Sequence, residues 1–147
     1  MSVEVALRPF AETDRAAVVA LWHAVGLTRP WNDPSADIDR ALGQEAATLL
    51  IAEHAGALTG TVMCGFDGHR GWIYYLAVAP DQRRRGLGAR LMAAAEDWLR
   101  ERGCPKAELM VRNGNDDAAA FYRALGYDRQ PVTVHARWLI EPPAAPE

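Results

Sequence analysis

Residues 74–91, YYLAVAPDQRRRGLGARL, constrain the fold more than any other stretch of the chain. A β-rich run ends at Pro80, a basic turn with two glycines follows, and a helical stripe begins at Leu87. A strand that feeds a helix through one turn places the chain among α/β proteins. The junction also suits a phosphorylated ligand. The first N–H groups of a helix are free and its dipole favours an anion there. Gly86 and Gly88 let a ligand approach the backbone, and Arg83, Arg84 and Arg85 add positive charge. The alternative reading of the same residues is a solvated basic helix start.

Periodicity supplies the other elements. Val3, Val5 and Leu7 alternate as an opening strand closed by Pro9, and Val18, Leu21, Trp22 and Val25 form a helical stripe stopped at Gly26. Ser35 reads as the cap of a short helix through Leu42. ATLLIAEH, LTGTVMCGF and WIYYLAV form a meander, turning first at Ala55-Gly56. Leu87, Leu91, Ala94, Ala95, Trp98 and Leu99 line one side of a long helix, AELMV is a short strand, and Asp116 to Leu125 a helix with Ala118, Phe121, Tyr122 and Leu125 inward. VTVHARWLI alternates as a last strand, and Trp22, Trp72, Trp98 and Trp138, all in periodic segments, read as core. The expected architecture is a mixed, largely antiparallel sheet of six to seven strands flanked by about four helices. It forms one domain over residues 1–141, followed by a flexible Pro/Ala tail at 142–147.

Composition narrows the partners. With 147 residues and a net charge of −3, the chain is one domain without global attraction to nucleic acid or anionic membrane. Cys64 and Cys104 share no short spacing and the four histidines are scattered, so no metal site is expected. The N-terminus lacks a signal-peptide pattern and no apolar run approaches a membrane span. A reduced, cytoplasmic protein is expected. A Rossmann fingerprint would need a third glycine where Leu91 stands, and the G-K-[ST] of a nucleotide P-loop is missing.

RRRGLG resembles the R/Q-x-x-G-x-G/A signature of the GNAT (Gcn5-related N-acetyltransferase) superfamily, preceded by its L-x-V-x-P lead-in at Leu76, Val78 and Pro80. NDDAAAFYRALGY is similar to the family's N-x-x-A-x-x-x-Y-x-x-x-G-F/Y block through Asn115, Ala118, Tyr122, Gly126 and Tyr127. L-x-R-P-W-N-D-P and F-D-G-H-R-G resemble a small, single-domain bacterial branch. The resemblance implies transfer of an acetyl group from acetyl-CoA to a primary amine by direct attack in a ternary complex. It places the pyrophosphate on the amides of Arg83, Arg84, Arg85, Gly86, Leu87, Gly88 and Ala89, and gives Asn115 to the same co-substrate. The pantetheine arm would pair with the backbone of Leu76, Ala77 and Val78, where the fourth and fifth strands splay. An N–H near Val78 would serve the oxyanion, and Tyr122 the departing thiolate. A homodimer is open to the chain, since many relatives pair.

Two departures leave the general base unassigned. Tyr74 and Tyr75 stand where many members carry a glutamate, and Met110 where enzymes acetylating ribosomal-protein N-termini carry theirs. Deprotonating a lysine-like amine of pKa ~10.4 at pH 7 costs roughly 4–5 kcal/mol, against about 1 kcal/mol for an α-amine. A low-pKa amine or a water relay is therefore the better match. Trp31, Asn32 and Asp33 read either as an acceptor wall for a cationic amine or as a helix-capping Asx turn with a packed ring. Asp67 and His69 fit either the pocket border or a hairpin loop, and Tyr122 either chemistry or core. N-terminal protein acetylation and a non-catalytic acyl-CoA-binding module are the alternatives.

Overall fold

Ala55 and Gly56 both take positive φ, 51° and 80°, as a two-residue hairpin turn requires. They join β2 (Ala47–His54) to β3 (Ala57–Phe66) in antiparallel register. The computed structural model describes residues 4–145. It contains one mixed sheet of order β1-β2-β3-β4-β5, with β1 at Ala6–Pro9, β4 at Gly71–Val78 and β5 at Ala107–Leu109. The first three pairings are antiparallel; β4 and β5 run parallel. Helices α1 (Arg15–Ala24) and α2 (Pro34–Leu42) precede β2, α3 (Leu87–Glu101) crosses from β4 to β5, and α4 (Asp116–Ala124) follows β5.

Strand alternation divides the core between two faces. Met63 on β3 meets Val18, Trp22 and Ile38 of α1 and α2, while Val62 and Cys64 pack with Leu87, Leu91, Ala95 and Leu99 of α3. Close contact of α3 with the sheet depends on Gly60. A Cβ there would stand 2.8 Å from Ala77 O and 2.9 Å from Leu91 Cδ1. The α3 stripe therefore lies as its periodicity predicts, with Met92 added to the buried set.

Three expectations need correction. The sheet among the described residues has five strands, not six or seven, because 132–140 joins no ladder. An alternating pattern specifies a strand's two faces but not the edge it pairs with. Trp138 accordingly lies 44% exposed instead of in the core, whereas Trp22 is fully buried. Finally, α2 is capped by Asp33, with Pro34 at the first helical position, and not by Ser35. Val3 and the end of the tail lie outside the described residues.

Candidate active site

β4 keeps β5 as a neighbour only from Gly71 to Ile73; beyond Ile73 the two strands separate. The local cause is a bulge at Tyr75, whose φ is 52° and beside which the β3–β4 register shifts. Three contacts hold this sparsely populated backbone conformation in place. The Thr61 hydroxyl donates to Tyr75 O at 2.8 Å and accepts from Trp22 Nε1 at 2.9 Å, and the Trp22 ring stacks on Tyr75 at 3.7 Å and 10°. Past the bulge, Ala79 N donates to Thr59 O at 2.8 Å. Backbone groups alternate between the two edges of a strand, so the N–H of Val78 faces the gap.

At the end of β4 the chain enters the basic turn. Arg84 and Gly86 take left-handed conformations, φ 64° and 77°, and Gly86 is the N-cap of α3 without any side-chain cap. Arg90 N donates to Gly86 O. The amides of Leu87, Gly88 and Ala89 precede that first intrahelical bond, and Arg83, Arg84 and Arg85 are exposed around them. Such an amide cluster attracts anions. Gly88 has a second role that the sequence does not reveal: a Cβ there would stand 3.2 Å from Phe121 Cζ. The turn, the end of β4 and α4 therefore meet at one place.

Asn115 Oδ1 caps α4, accepting from Ala118 N at 3.2 Å. Tyr122 lies half-buried one residue after the Phe121 that covers Gly88, and the two rings meet edge to face at 5.1 Å. Burial pushes the Tyr122 phenol up, so it is protonated at neutral pH. Tyr127 packs on its other side, with its own hydroxyl committed to Glu96 Oε2 at 2.6 Å.

The loop before α2 and α2 itself lie near the bulge of β4 and the segment beyond β5. Asp33 Oδ1 accepts from Ala36 N at 3.1 Å as the helix cap, and Asn32 is exposed. Trp31 faces Arg112, beyond β5, whose guanidinium carbon lies 5.7 Å from its ring centre. The carboxylate that reaches β4 is Asp37, which sequence reasoning missed: its Oδ2 accepts from Tyr75 Oη at 2.7 Å. Burial first, then this bond, push the Tyr75 phenol up, and Asp33 adds negative charge nearby. The available signal was Asp37 at i+4 from the cap Asp33, next to the buried Ile38. Asp67 and His69 belong to the hairpin loop, where Asp67 Oδ1 accepts from His69 N and Arg70 N at 2.8 Å each. Among the described residues, no group of three or more His, Cys, Asp or Glu side chains is placed to hold a metal ion. No helix among them is long and apolar enough to cross a membrane.

The separation of β4 from β5 and the uncapped, arginine-rich start of α3 thus lie at the same end of β4 in this mixed α/β fold. Residues 16–127 match the model of the Acetyltransferase (GNAT) family, and the chain belongs to that family. It is 44% identical over 134 residues to an acetyltransferase of Yersinia enterocolitica, covering 91% of this chain and 95% of the relative. It is 46% identical over 136 residues to one of Sodalis glossinidius, covering 92% and 96%. The chain is an N-acetyltransferase of the acetyl-CoA-dependent class. Among solved structures it shares its fold with the aminoglycoside N-acetyltransferase AAC(6')-Iy in complex with CoA, at TM-score 0.80 and 19% identity, covering 95% of this chain and 98% of that one. It also resembles glucosamine-6-phosphate N-acetyltransferase from Arabidopsis thaliana, at TM-score 0.73 and 15% identity, covering 93% and 99%.

Proposed function

We propose that the protein acetylates the primary amine of a small cationic acceptor, with acetyl-CoA bound in the β4–β5 gap. The observation that carries this reading is the separation of β4 from β5 after Ile73, directly beside the uncapped start of α3. The pyrophosphate sits on the amides from Arg83 to Ala89. The pantetheine arm runs along the backbone of Leu76–Val78 as an added strand, with Asn115 near its far side. The Val78 N–H donates to the thioester oxygen as negative charge develops there. The acceptor approaches from the α2 side, where Trp31 offers a ring face and Asp33 and Asp37 attract an ammonium group, which would compete with the exposed Arg40 that now pairs with Asp37 Oδ1 at 3.3 Å. Asp37 receives the amine's proton through water. The free amine then attacks the carbonyl, the C–N bond forms, the C–S bond breaks, Tyr122 gives its proton to the departing sulfur, and the proton that nitrogen sheds on becoming an amide passes through water to restore the Tyr122 phenol. AAC(6')-Iy, named for an aminoglycoside acceptor, has the same fold, and a polycationic acceptor matches the acidic wall.

The test is product identification by mass spectrometry. The protein is incubated with acetyl-CoA and, separately, diamines, aminoglycosides, neutral amino-acid amides and N-terminal peptides. Acetylation of the di- and polycationic amines ahead of the others is expected. Efficient acetylation confined to peptide N-termini would overturn this acceptor assignment.

A further inference from the structure

Helix α4 ends in a left-handed turn that brings the chain back over Tyr122. Gly126 takes φ 93°, its N–H donates to Arg123 O at 3.0 Å, and Tyr127 N donates to Tyr122 O at 3.0 Å. This pair of bonds is a glycine C-cap, and an apolar contact across it commonly accompanies the motif. Here that contact is the Tyr127 ring against the Tyr122 ring, edge to face at 6.1 Å. A phenylalanine would complete the same cap, so the Tyr127 hydroxyl is surplus to it.

That hydroxyl donates to Glu96 Oε2 at 2.6 Å, across 31 residues of sequence. The length is that of a charge-assisted O–H···O⁻ bond. The other oxygen of Glu96 pairs with Arg100 at 3.8 Å. Burial first, then the Glu96 bond, push the Tyr127 phenol up, which keeps it a donor at neutral pH. Glu96 lies on α3, roughly two turns or about 12 Å beyond the Gly88 against which Phe121 packs. Helix α4 fully buries none of its nine residues. Its seat on α3 rests on a few half-covered side chains, Phe121, Tyr122 and Leu125, and on the Tyr127 bond. The Tyr122 hydroxyl itself has no hydrogen-bond partner among the described residues, so packing fixes where it points.

We infer that Glu96 is a positioning residue, which acts through Tyr127 to hold Tyr122 in register with the start of α3. The inference rests on the role given to Tyr122 above. In that reading the start of α3 carries the pyrophosphate, and the thioester sulfur lies a set length along the co-substrate from it. A phenol tied to the same helix keeps its distance to that sulfur. A misplacement near 1 Å can cost about 10²-fold in rate.

Tyr127→Phe keeps the ring of the cap and removes only the bond, Glu96→Leu removes the acceptor, and Glu96→Gln restores one. The chemical step is read as the single-turnover rate of thiol release from acetyl-CoA with saturating cadaverine. Tyr127→Phe and Glu96→Leu are expected to lower that rate about ten- to hundred-fold, with CoA affinity and the cadaverine KM held. Glu96→Gln should return it to within about threefold of wild type, since a bond to a neutral acceptor is weaker but present. Added to Tyr122→Phe, Tyr127→Phe should lower the rate no further. A tie with a purely structural role would lower Tm and leave the rate intact. That result, or full additivity of the two tyrosine substitutions, overturns the inference. If Glu96→Leu does not fold, Tyr127→Phe alone and in the Tyr122→Phe background still decides. A Tyr122→Phe enzyme at the wild-type rate overturns the acid role, and the tie with it, before Tyr127 is altered. Without turnover of cadaverine, NMR of ring-labelled tyrosine decides. The Tyr122 signal should move in Glu96→Leu and not in Glu96→Gln, and a signal unmoved in both refutes the tie.

Discussion

Tyr75 Oη donates to Asp37 Oδ2 at 2.7 Å, tying the bulge of β4 to helix α2 across 38 residues of sequence. The bond fixes a carboxylate beside the gap where β4 leaves β5. With its phenol pushed up by burial and by Asp37, Tyr75 remains a donor throughout the neutral range.

Tyr75→Phe should therefore loosen Asp37 without emptying the site. The acceptor KM is expected to rise about tenfold, equivalent to roughly 1.4 kcal/mol, while the acetyl-CoA KM holds. Asp37→Asn should raise the acceptor KM at least as much and make it less sensitive to salt. Steady-state kinetics with each substrate varied in turn checks both; equal shifts in the two KM values would place the pair outside the acceptor wall.

Gly88 and Arg85 separate packing from charge in the basic turn. Gly88→Ala drives a methyl against Phe121, and overpacking of this kind costs about 1–3 kcal/mol. Tm and CoA affinity should fall together. Arg85→Glu reverses an exposed charge, so Tm should hold while CoA affinity drops about tenfold. Calorimetric titration with CoA beside thermal melts distinguishes the two behaviours.

Acid stability should trace to Asp14. Its carboxylate takes a two-pronged pair from Arg8, at 2.7 and 2.9 Å, and a third bond from Ala11 N at 2.8 Å. Arg8 holds the Asp14 pKa below its usual value. The folded pKa is thus lower than the unfolded one. The stabilisation is fully present above the unfolded value, near 3.9, and is lost as pH falls through the folded value. Asp14→Asn should cost about 2 kcal/mol at pH 7, a Tm drop of roughly 4–8 °C, with the gap to wild type closing in acid. Melts from pH 7 down to pH 3 check the trend.

Local chemistry explains what the sequence revealed and what it hid. The α3 stripe and the Ala55-Gly56 hairpin were legible because helix period and turn conformation act within a few residues. The basic turn was legible for the same reason, since Arg83 to Gly88 sit together in the chain. Asp37 was not, because its meeting with Tyr75 depends on a bulge supported by Trp22 and Thr61 from two other elements. Asp33 offered two readings; its Oδ1 caps α2, and a cap leaves the carboxylate's charge in place for the acceptor role proposed above. Val132 to Ile140 carry the alternation of a strand yet join no ladder, since alternation names no neighbour.

Thiol release from acetyl-CoA with a saturating diamine, compared between wild type and Tyr122→Phe, tests the central claim most directly. Tyr122 is set half-buried beside the Phe121 that covers Gly88, and Phe keeps the ring that fills this space. The account predicts acetyl-amine formed in step with free thiol, and a kcat lower in the variant by about 10²–10⁴-fold. CoA affinity and Tm should be unchanged. A wild type that binds CoA but releases no thiol with any amine, or a Tyr122→Phe variant with full kcat and a rate-limiting chemical step, would contradict it.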